Sequence, residues 1–302
     1  MNTDPETATT TLAQRIAAEA ARALAKPLSP GLHIVATPIG NLADITLRAL
    51  ATLQQADVVY CEDTRHSRTL ISHFGLDAKL RPYHEHNADH ERPRILARLA
   101  AGERVALISD AGTPLISDPG FKLAREAIAE GYNVVAAPGP CAAIAALTVA
   151  GLPTDCFLFA GFLPPKSGQR QTRLKALRET PATLVFYEAP TRVAECLADM
   201  LIVLGDRPCA VARELTKLHE DVRRGTVASL IAAIGDEPMR GEVAIVVAPP
   251  IAGAIGDDDI TAALRDAMKS QTTRDAVRSV AVHLAVPRSR VYNLATLIER
   301  SE

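Results

Sequence analysis

From Leu32 onward, short apolar runs alternate with stretches in which apolar residues recur every three or four positions. Residues 33–36, 57–60, 105–109 and 133–136 have the length and Val/Ile content of buried strands, whereas 46–55, 65–74, 91–100, 118–130 and 141–150 carry helical spacing. Strands that alternate with helices imply a largely parallel sheet covered on both faces. The second half repeats the alternation, with strands expected at 157–161, 183–187, 209–214, 220–225 and 242–247 and helices at 168–179, 192–204 and 226–234. Only Leu215-Thr216-Lys217-Leu218-His219 separates the third and fourth of these strands. That link is too short for a crossover helix, so an antiparallel hairpin is expected and the second half is mixed.

Breaks in the pattern divide the chain. Residues 1–29 read as a flexible Ala-rich tail with one marginal amphipathic helix, ending at the Pro27 and Pro30 break. Gly151-Leu152-Pro153-Thr154 separates an α/β domain at 30–152 from a second at 153–250. After Pro249-Pro250 a Gly/Asp linker leads to a helical unit at 257–302, with helices expected at 260–269, 273–284 and 289–298. Its last two helices resemble a helix-turn-helix that presents Arg288, Arg290, Tyr292 and Asn293; a packing bundle is the alternative.

Composition narrows the function classes. Of 302 residues, 48% are hydrophobic and 4% aromatic, with no Trp, so the cores must be built from aliphatic side chains and Ala. The formal net charge of -2 gives no global attraction to nucleic acid, and any RNA contact must come from local basic patches. Two are present: Arg65, His66 and Arg68, and then Lys166, Arg170, Arg173, Lys175 and Arg178. Each reads either as phosphate contacts or as a solvated helix face. Five scattered Cys without a CxxC pair fit a reducing, cytoplasmic compartment rather than a disulfide framework or zinc ribbon. The apolar stretch at 243–255 is broken by Pro249 and Pro250, so no membrane span is expected.

Chemistry-bearing segments lie at strand ends, where open α/β sheets bind ligands. Thr37-Pro38-Ile39-Gly40 follows the first strand, and neither GxGxxG nor GxxxxGK[ST] occurs anywhere, against dinucleotide and P-loop readings. In Ser109-Asp110-Ala111-Gly112-Thr113-Pro114 the small residues allow close backbone approach, and Asp110 can accept from an amino or hydroxyl group. Ser117 or Asp118 reads as the cap of the next helix, with Pro119 in its first turn. Ala137-Pro138-Gly139-Pro140 opens an Ala-rich helix, which is either a wall for a flat ligand or a close-packing device. Glu62 and Asp63 end the second strand as a potential proton acceptor or as helix-dipole partners. His84, Glu85 and His86, with His90 nearby, lack the Cys or helical HExxH of a metal site, and no metal is expected.

VATPIGN, CEDTRHSRTL, SDAGTPLISDPG, APGPCAAIAALTVAGLP, FYEAP and GEVAIVV, in this order over roughly 32–248, resemble the tetrapyrrole (corrin/porphyrin) methylase superfamily. CEDTRHS and SDAGTP are similar to the branch that methylates a cytidine ribose 2′-hydroxyl of 16S rRNA. The resemblance implies two α/β domains with S-adenosylmethionine in the cleft between them, and a homodimer. It implies that Pro38, Asp110, Ala111, Gly112, Thr113, Pro114, Ile116, Ser117, Ala142, Ala143, Tyr187 and Ala244 hold the donor. Glu62, Asp63, Arg65 and Glu188 are then the catalytic candidates, with His84 as a further proton acceptor. Arg65, Arg68, Lys166, Arg170 and Arg173 are the RNA-contact candidates, and 16S rRNA or the assembled small subunit is the partner. A tetrapyrrole-precursor methylase on the same fold is the alternative, disfavoured by the basic 166–178 segment and the helical tail. A DNA-binding regulator built on that tail would leave the large α/β body without a task.

Overall fold

The computed structural model describes residues 11–235, 239–250, 257–284 and 286–301. The expected Gly/Asp linker at 251–256 and the first ten residues of the tail lie outside the described residues.

The first sheet contains β1 (Gly31–Val35), β2 (Val58–Cys61), β3 (Leu80–Pro82), β4 (Arg104–Leu107) and β5 (Val134–Ala137) in the order β3-β2-β4-β1-β5. All four pairings are parallel. The strands are apolar at consecutive positions because both faces are covered. Tyr60 and Leu107 meet Ile95 and Leu99 of α4 (Ala88–Ala100) and Leu123 of α5 (Phe121–Ala129). Val59 and Ala106, one residue out of phase, meet Leu53 of α2 (Leu47–Gln55) and Leu70 of α3 (Thr64–His73). The two-residue period of a strand thus splits one apolar run between two cores. β3 has no counterpart among the expected strands because it is three residues long and not fully buried.

The second sheet orders β6 (Phe157–Phe162), β7 (Thr183–Glu188), β10 (Val243–Val247), β8 (Pro208–Arg213) and β9 (Asp221–Thr226) as β6-β7-β10-β8-β9. β6 and β7 are parallel, and the other pairs, including the expected β8–β9 hairpin, are antiparallel. One face packs on α7 (Ser167–Leu177), α8 (Val193–Leu204) and α9 (Val227–Ile234). The other face is covered by α6 (Ala142–Ala150), whose Ala143, Ala146, Leu147 and Ala150 lie against Val185, Ala210, Ala212, Ala244 and Val246. A helix that precedes the Gly151 break therefore packs on the sheet that follows it. The facing Ala residues permit the close approach, so the Ala-rich face is a packing device.

The loop before α5 corrects one expectation. Neither Ser117 nor Asp118 caps the helix, and Pro119 lies outside its first turn; Gly120, at φ +128°, precedes Phe121 without a side-chain cap. Leu115 (φ 73°) and Ser117 (φ 64°) hold left-handed backbone, which delays the helix and leaves Asp118 free for another role. Gly31, at the N-terminal start of the interior strand β1, has φ +137°, and a Cβ there would lie 2.6 Å from the Asn133 carbonyl oxygen. Because backbone cannot yield as a side chain would, Gly31→Ala is expected to cost about 1–3 kcal/mol, read as a lower urea midpoint at unchanged slope.

α1 (Leu12–Ala25) opens with a Thr11/Gln14 capping box and buries no side chain fully. At the other end α10 (Asp257–Met268), α11 (Thr273–His283) and α12 (Arg288–Ser301) form a core of their own from Ile260, Leu264, Val277, Val280, Val291 and Ile298. Arg288, Tyr292 and Asn293 are exposed on α12, whereas Arg290 is paired with Asp257 at 2.7 Å. Among the described residues no helix is long and apolar enough to cross a membrane.

Candidate active site

The parallel strand order brings the ends of β1 and β4 side by side, and hydrogen bonds lock the loops that follow them. Thr37 N–H donates to the Gly112 carbonyl at 2.9 Å and Gly112 N–H returns to Thr37 at 3.1 Å. The Thr113 hydroxyl donates to the Pro140 carbonyl at 2.9 Å, tying in the turn before α6. Asp63 N–H donates to Asp110 Oδ1 at 3.0 Å, tying in the end of β2. Segments that are separate in sequence thus form one hydrogen-bonded rim.

Between this rim and the second sheet lies a cavity of about 380 Å³, within the size range of small-molecule sites. Asp110, Ala111, Gly112, Thr113, Ile116, Ser117 and Ala142 line one side, with Tyr187, Glu188 and Ala244 on the other. Ile39, Asp118, Phe162, Leu215, Glu242 and Val243 also line it and were not among the expected donor contacts. Glu242 and Val243 adjoin Ala244 in sequence, and Phe162 follows the Gly161 bulge, so adjacency was the available signal. Three expected contacts lie elsewhere. Pro38 borders a neighbouring cavity of about 360 Å³ that shares Ile39, Asp110, Ala111 and Glu242 with the first. Pro114 is buried off the wall. Ala143 is buried behind it, and its N–H donates to the Tyr187 hydroxyl at 2.9 Å. That bond and the Phe159 and Phe162 rings, 4.8 and 5.6 Å from the Tyr187 ring, fix the tyrosine at the seam, where burial pushes its pKa up.

The acidic candidates separate by environment. Asp63 accepts from Arg65 N–H at 2.8 Å at the start of α3, and the Arg65 guanidinium binds the same carboxylate at 2.7 Å. This pairing holds Asp63 down at about 2, which suits a helix cap and makes it a weak proton acceptor. Glu62 is raised instead, chiefly by desolvation and then by the Asp110 charge. Glu188 is fully buried on the face of β7 that carries Leu184 and Phe186, turned from Tyr187 toward α8: Oε1 is bound by Arg192 and by Ala189 N–H, and the Cys196 thiol lies beside the carboxylate. Asp118, next to Ser117 on the cavity wall, is raised to about 6 by desolvation and then by Glu62. The rings of His84 and His86 sit 6.1 Å apart, and no group of metal-ligating side chains gathers among the described residues.

The basic candidates also divide. Arg65, Arg68, Lys166, Arg173, Lys175 and Arg178 are exposed. Arg170 is not: its side chain is 1% exposed, with Nε donating to Asp199 Oδ2 at 2.6 Å and a second nitrogen donating to the Pro165 carbonyl at 3.2 Å. Arg170 is therefore withdrawn as an RNA contact, because its charge is spent joining α7 to α8.

Residues 31–231 match the family of tetrapyrrole (corrin/porphyrin) methylases. The chain is 56% identical over 239 residues to a ribosomal RNA small subunit methyltransferase I of Mesorhizobium japonicum, covering 78% of this chain and 81% of that one. A protein of the same name from Halalkalibacterium halodurans is 40% identical over 270 residues, covering 87% and 93%. Among solved structures, a diphthine synthase aligns with TM-score 0.57 at 17% identity over 72% of this chain and 89% of that one. A uroporphyrin-III-C-methyltransferase of Thermus thermophilus aligns with TM-score 0.54 at 23% identity over 74% and 96%. At such identities the structural likeness speaks for the fold alone.

Proposed function

The chain belongs to the tetrapyrrole methylase family, and from that premise we propose that it transfers a methyl group from S-adenosylmethionine to the ribose 2′-hydroxyl of a cytidine in 16S rRNA of the small ribosomal subunit. The observation that carries the reading is the cavity at the seam of the two sheets, walled by Asp110–Thr113, Ile116–Ser117, Tyr187–Glu188 and Ala244, together with relatives named as small-subunit rRNA methyltransferases.

The wall fits such a donor. Gly112, at φ +82°, keeps the rim low: a Cβ there would lie 3.1 Å from the Ile39 side chain. Ala212, Leu215, Val243 and Ala244 offer an apolar surface for a flat base. The donor supplies a methyl group already activated on a positively charged sulfur. The chain's own task is then to orient an oxygen toward that methyl, exclude water and accept one proton. Orientation of two reactants is worth up to about 7–11 kcal/mol of barrier, which makes a seam closed by the Tyr187–Ala143 bond the main catalytic device.

The exposed Arg65, Arg68, Lys166 and Arg173 support phosphate positioning. The reading carries a cytoplasmic enzyme acting as a homodimer, expected to sediment at about twice the 32.2 kDa of one chain. Purified protein given labelled S-adenosylmethionine and small subunits that lack the mark is expected to yield 2′-O-methylcytidine in nuclease digests. Label on a base nitrogen, or on a porphyrin precursor in place of RNA, refutes the assignment.

A further inference from the structure

A second chamber, of about 680 Å³, opens beside the seam cavity and shares two wall residues with it, Ser117 and Asp118. Its rim carries Phe121, 65% exposed in a chain with only six Phe and no Trp. An exposed ring at a chamber mouth is a stacking surface for an unpaired base. Glu62, exposed at the end of β2, also lines the chamber. If the seam cavity holds the donor and this chamber the acceptor nucleotide, the reacting oxygen must lie where the two walls coincide. Of the two shared side chains, only that of Asp118 carries a group able to take up a proton near neutral pH.

Resting on the methyltransferase reading above, we propose that Asp118 accepts the hydroxyl proton of the acceptor nucleotide, and that Glu62 tunes it. As the oxygen–carbon bond forms, the carbon–sulfur pair goes to sulfur and the hydroxyl proton goes to the Asp118 carboxylate, which later releases it to water. The left-handed Leu115 and Ser117 hold Asp118 at this junction instead of at the α5 cap. The groups facing Asp118 agree with the role. Burial raises it most, Glu62 from the end of β2 and then Asp110 from beyond β4 repel its charge, and the Ser109 hydroxyl offsets them in part. Tyr187 stays neutral across the seam. Around the chamber, Glu85 and Asp89 face Arg92 and Lys122, and Arg92 is already engaged by Asp89 at 3.0 Å and Glu126 at 2.8 Å. Asp110 borders the alternative neighbouring cavity, but its carboxylate already accepts the Asp63 N–H. A proton acceptor near 6 is suited to neutral pH, because it is ionised there yet still basic.

The test is the pH dependence of single-turnover methyl transfer to small subunits by the full-length protein. The wild type is expected to speed up tenfold per pH unit below about 6 and to level off above it. Asp118→Asn is expected to lose the limb and about 10²–10⁴-fold in rate, with donor affinity changed only a few-fold. Glu62→Gln removes a like charge and is expected to move the limb to lower pH, a shift that a merely structural role for either residue would not produce. Retention of rate and limb in Asp118→Asn, or loss of the limb in Asp110→Asn instead, overturns this inference alone. Absence of transfer by the wild type to any RNA overturns the functional reading and this inference with it.

Discussion

Asp199→Ala is expected to destabilise the protein by about 3–5 kcal/mol, because it strands the buried Arg170 guanidinium without its counter-charge. Asp199 Oδ2 accepts from Arg170 Nε at 2.6 Å, and Oδ1 accepts from Ser167 Oγ at 2.9 Å and Gln171 Nε2 at 2.7 Å. One carboxylate on α8 thereby organises the first turns of α7. The remaining Arg170 neighbour, Glu195, is 3.6 Å away and largely exposed, too distant and too wet to replace Asp199. Urea unfolding of single and double variants checks the claim. Arg170→Met combined with Asp199→Leu is expected to recover most of the loss, since exchanging a buried pair for apolar side chains removes both desolvation penalties. If the double variant is as weak as Asp199→Ala, lost packing and not stranded charge is the cause. Burial works to raise the Asp199 carboxyl, but the bonds from Gln171, Arg170 and Ser167 outweigh it and hold the group below its ordinary 3.8. A depressed acid contributes its full stability above that ordinary value and loses it as pH falls through the lower, folded-state value. The gap between wild type and Asp199→Ala is thus expected to be widest at neutral pH and to shrink in acid below 3.8.

Asp110→Ala is expected to weaken donor binding by about 10–100-fold, the cost of removing a charged hydrogen-bond acceptor of roughly 1.5–3 kcal/mol. Asp110 lines the seam cavity and also accepts the Asp63 N–H, so its loss removes a wall group and frees the end of β2 from the rim. Arg65→Ala is expected to leave donor affinity unchanged, because Arg65 is 90% exposed and lies off the cavity wall. Transfer to RNA is expected to fall, and the dependence of RNA binding on salt to become shallower, by about one counterion for each phosphate that the arginine no longer neutralises. Calorimetric titration with S-adenosylmethionine, paired with salt-dependent RNA binding, separates the two variants. Equal donor affinity in both would remove the division of labour between rim and surface.

Much of the molecule was legible from residue order. Apolar runs of four to six residues, punctuated by Gly and Pro, located every strand except the polar β9 and β3, whose three positions give no period to read. The short Leu215–His219 link dictated the hairpin, because no crossover fits in five residues. The turns at Thr37 and Asp110 marked the edge of the first sheet at which the cavities open, since small residues at strand ends leave room there. Charge was less legible. Lys166, Arg170 and Arg173 look alike along the chain, yet only Arg170 faces inward on α7 to meet Asp199 on α8. Asp118 is deceptive for a related reason: an Asp-Pro-Gly ahead of a helical run has the chemistry of a cap, and only the left-handed backbone at Leu115 and Ser117 moves it away.

Residue order by itself determined the elements other than β3, the parallel first sheet, the β8–β9 hairpin and the segments that meet at the strand ends. Each of these follows from local periodicity, turn chemistry and link length. Tertiary structure alone decided that α6 covers the second sheet, that Asp63 is held by Arg65 while Glu188 is sealed against Arg192, and that Asp118 stands between two chambers. Burial and pairing depend on residues tens of positions apart. The proton affinity and availability of a side chain are therefore set by neighbours that no local pattern reveals.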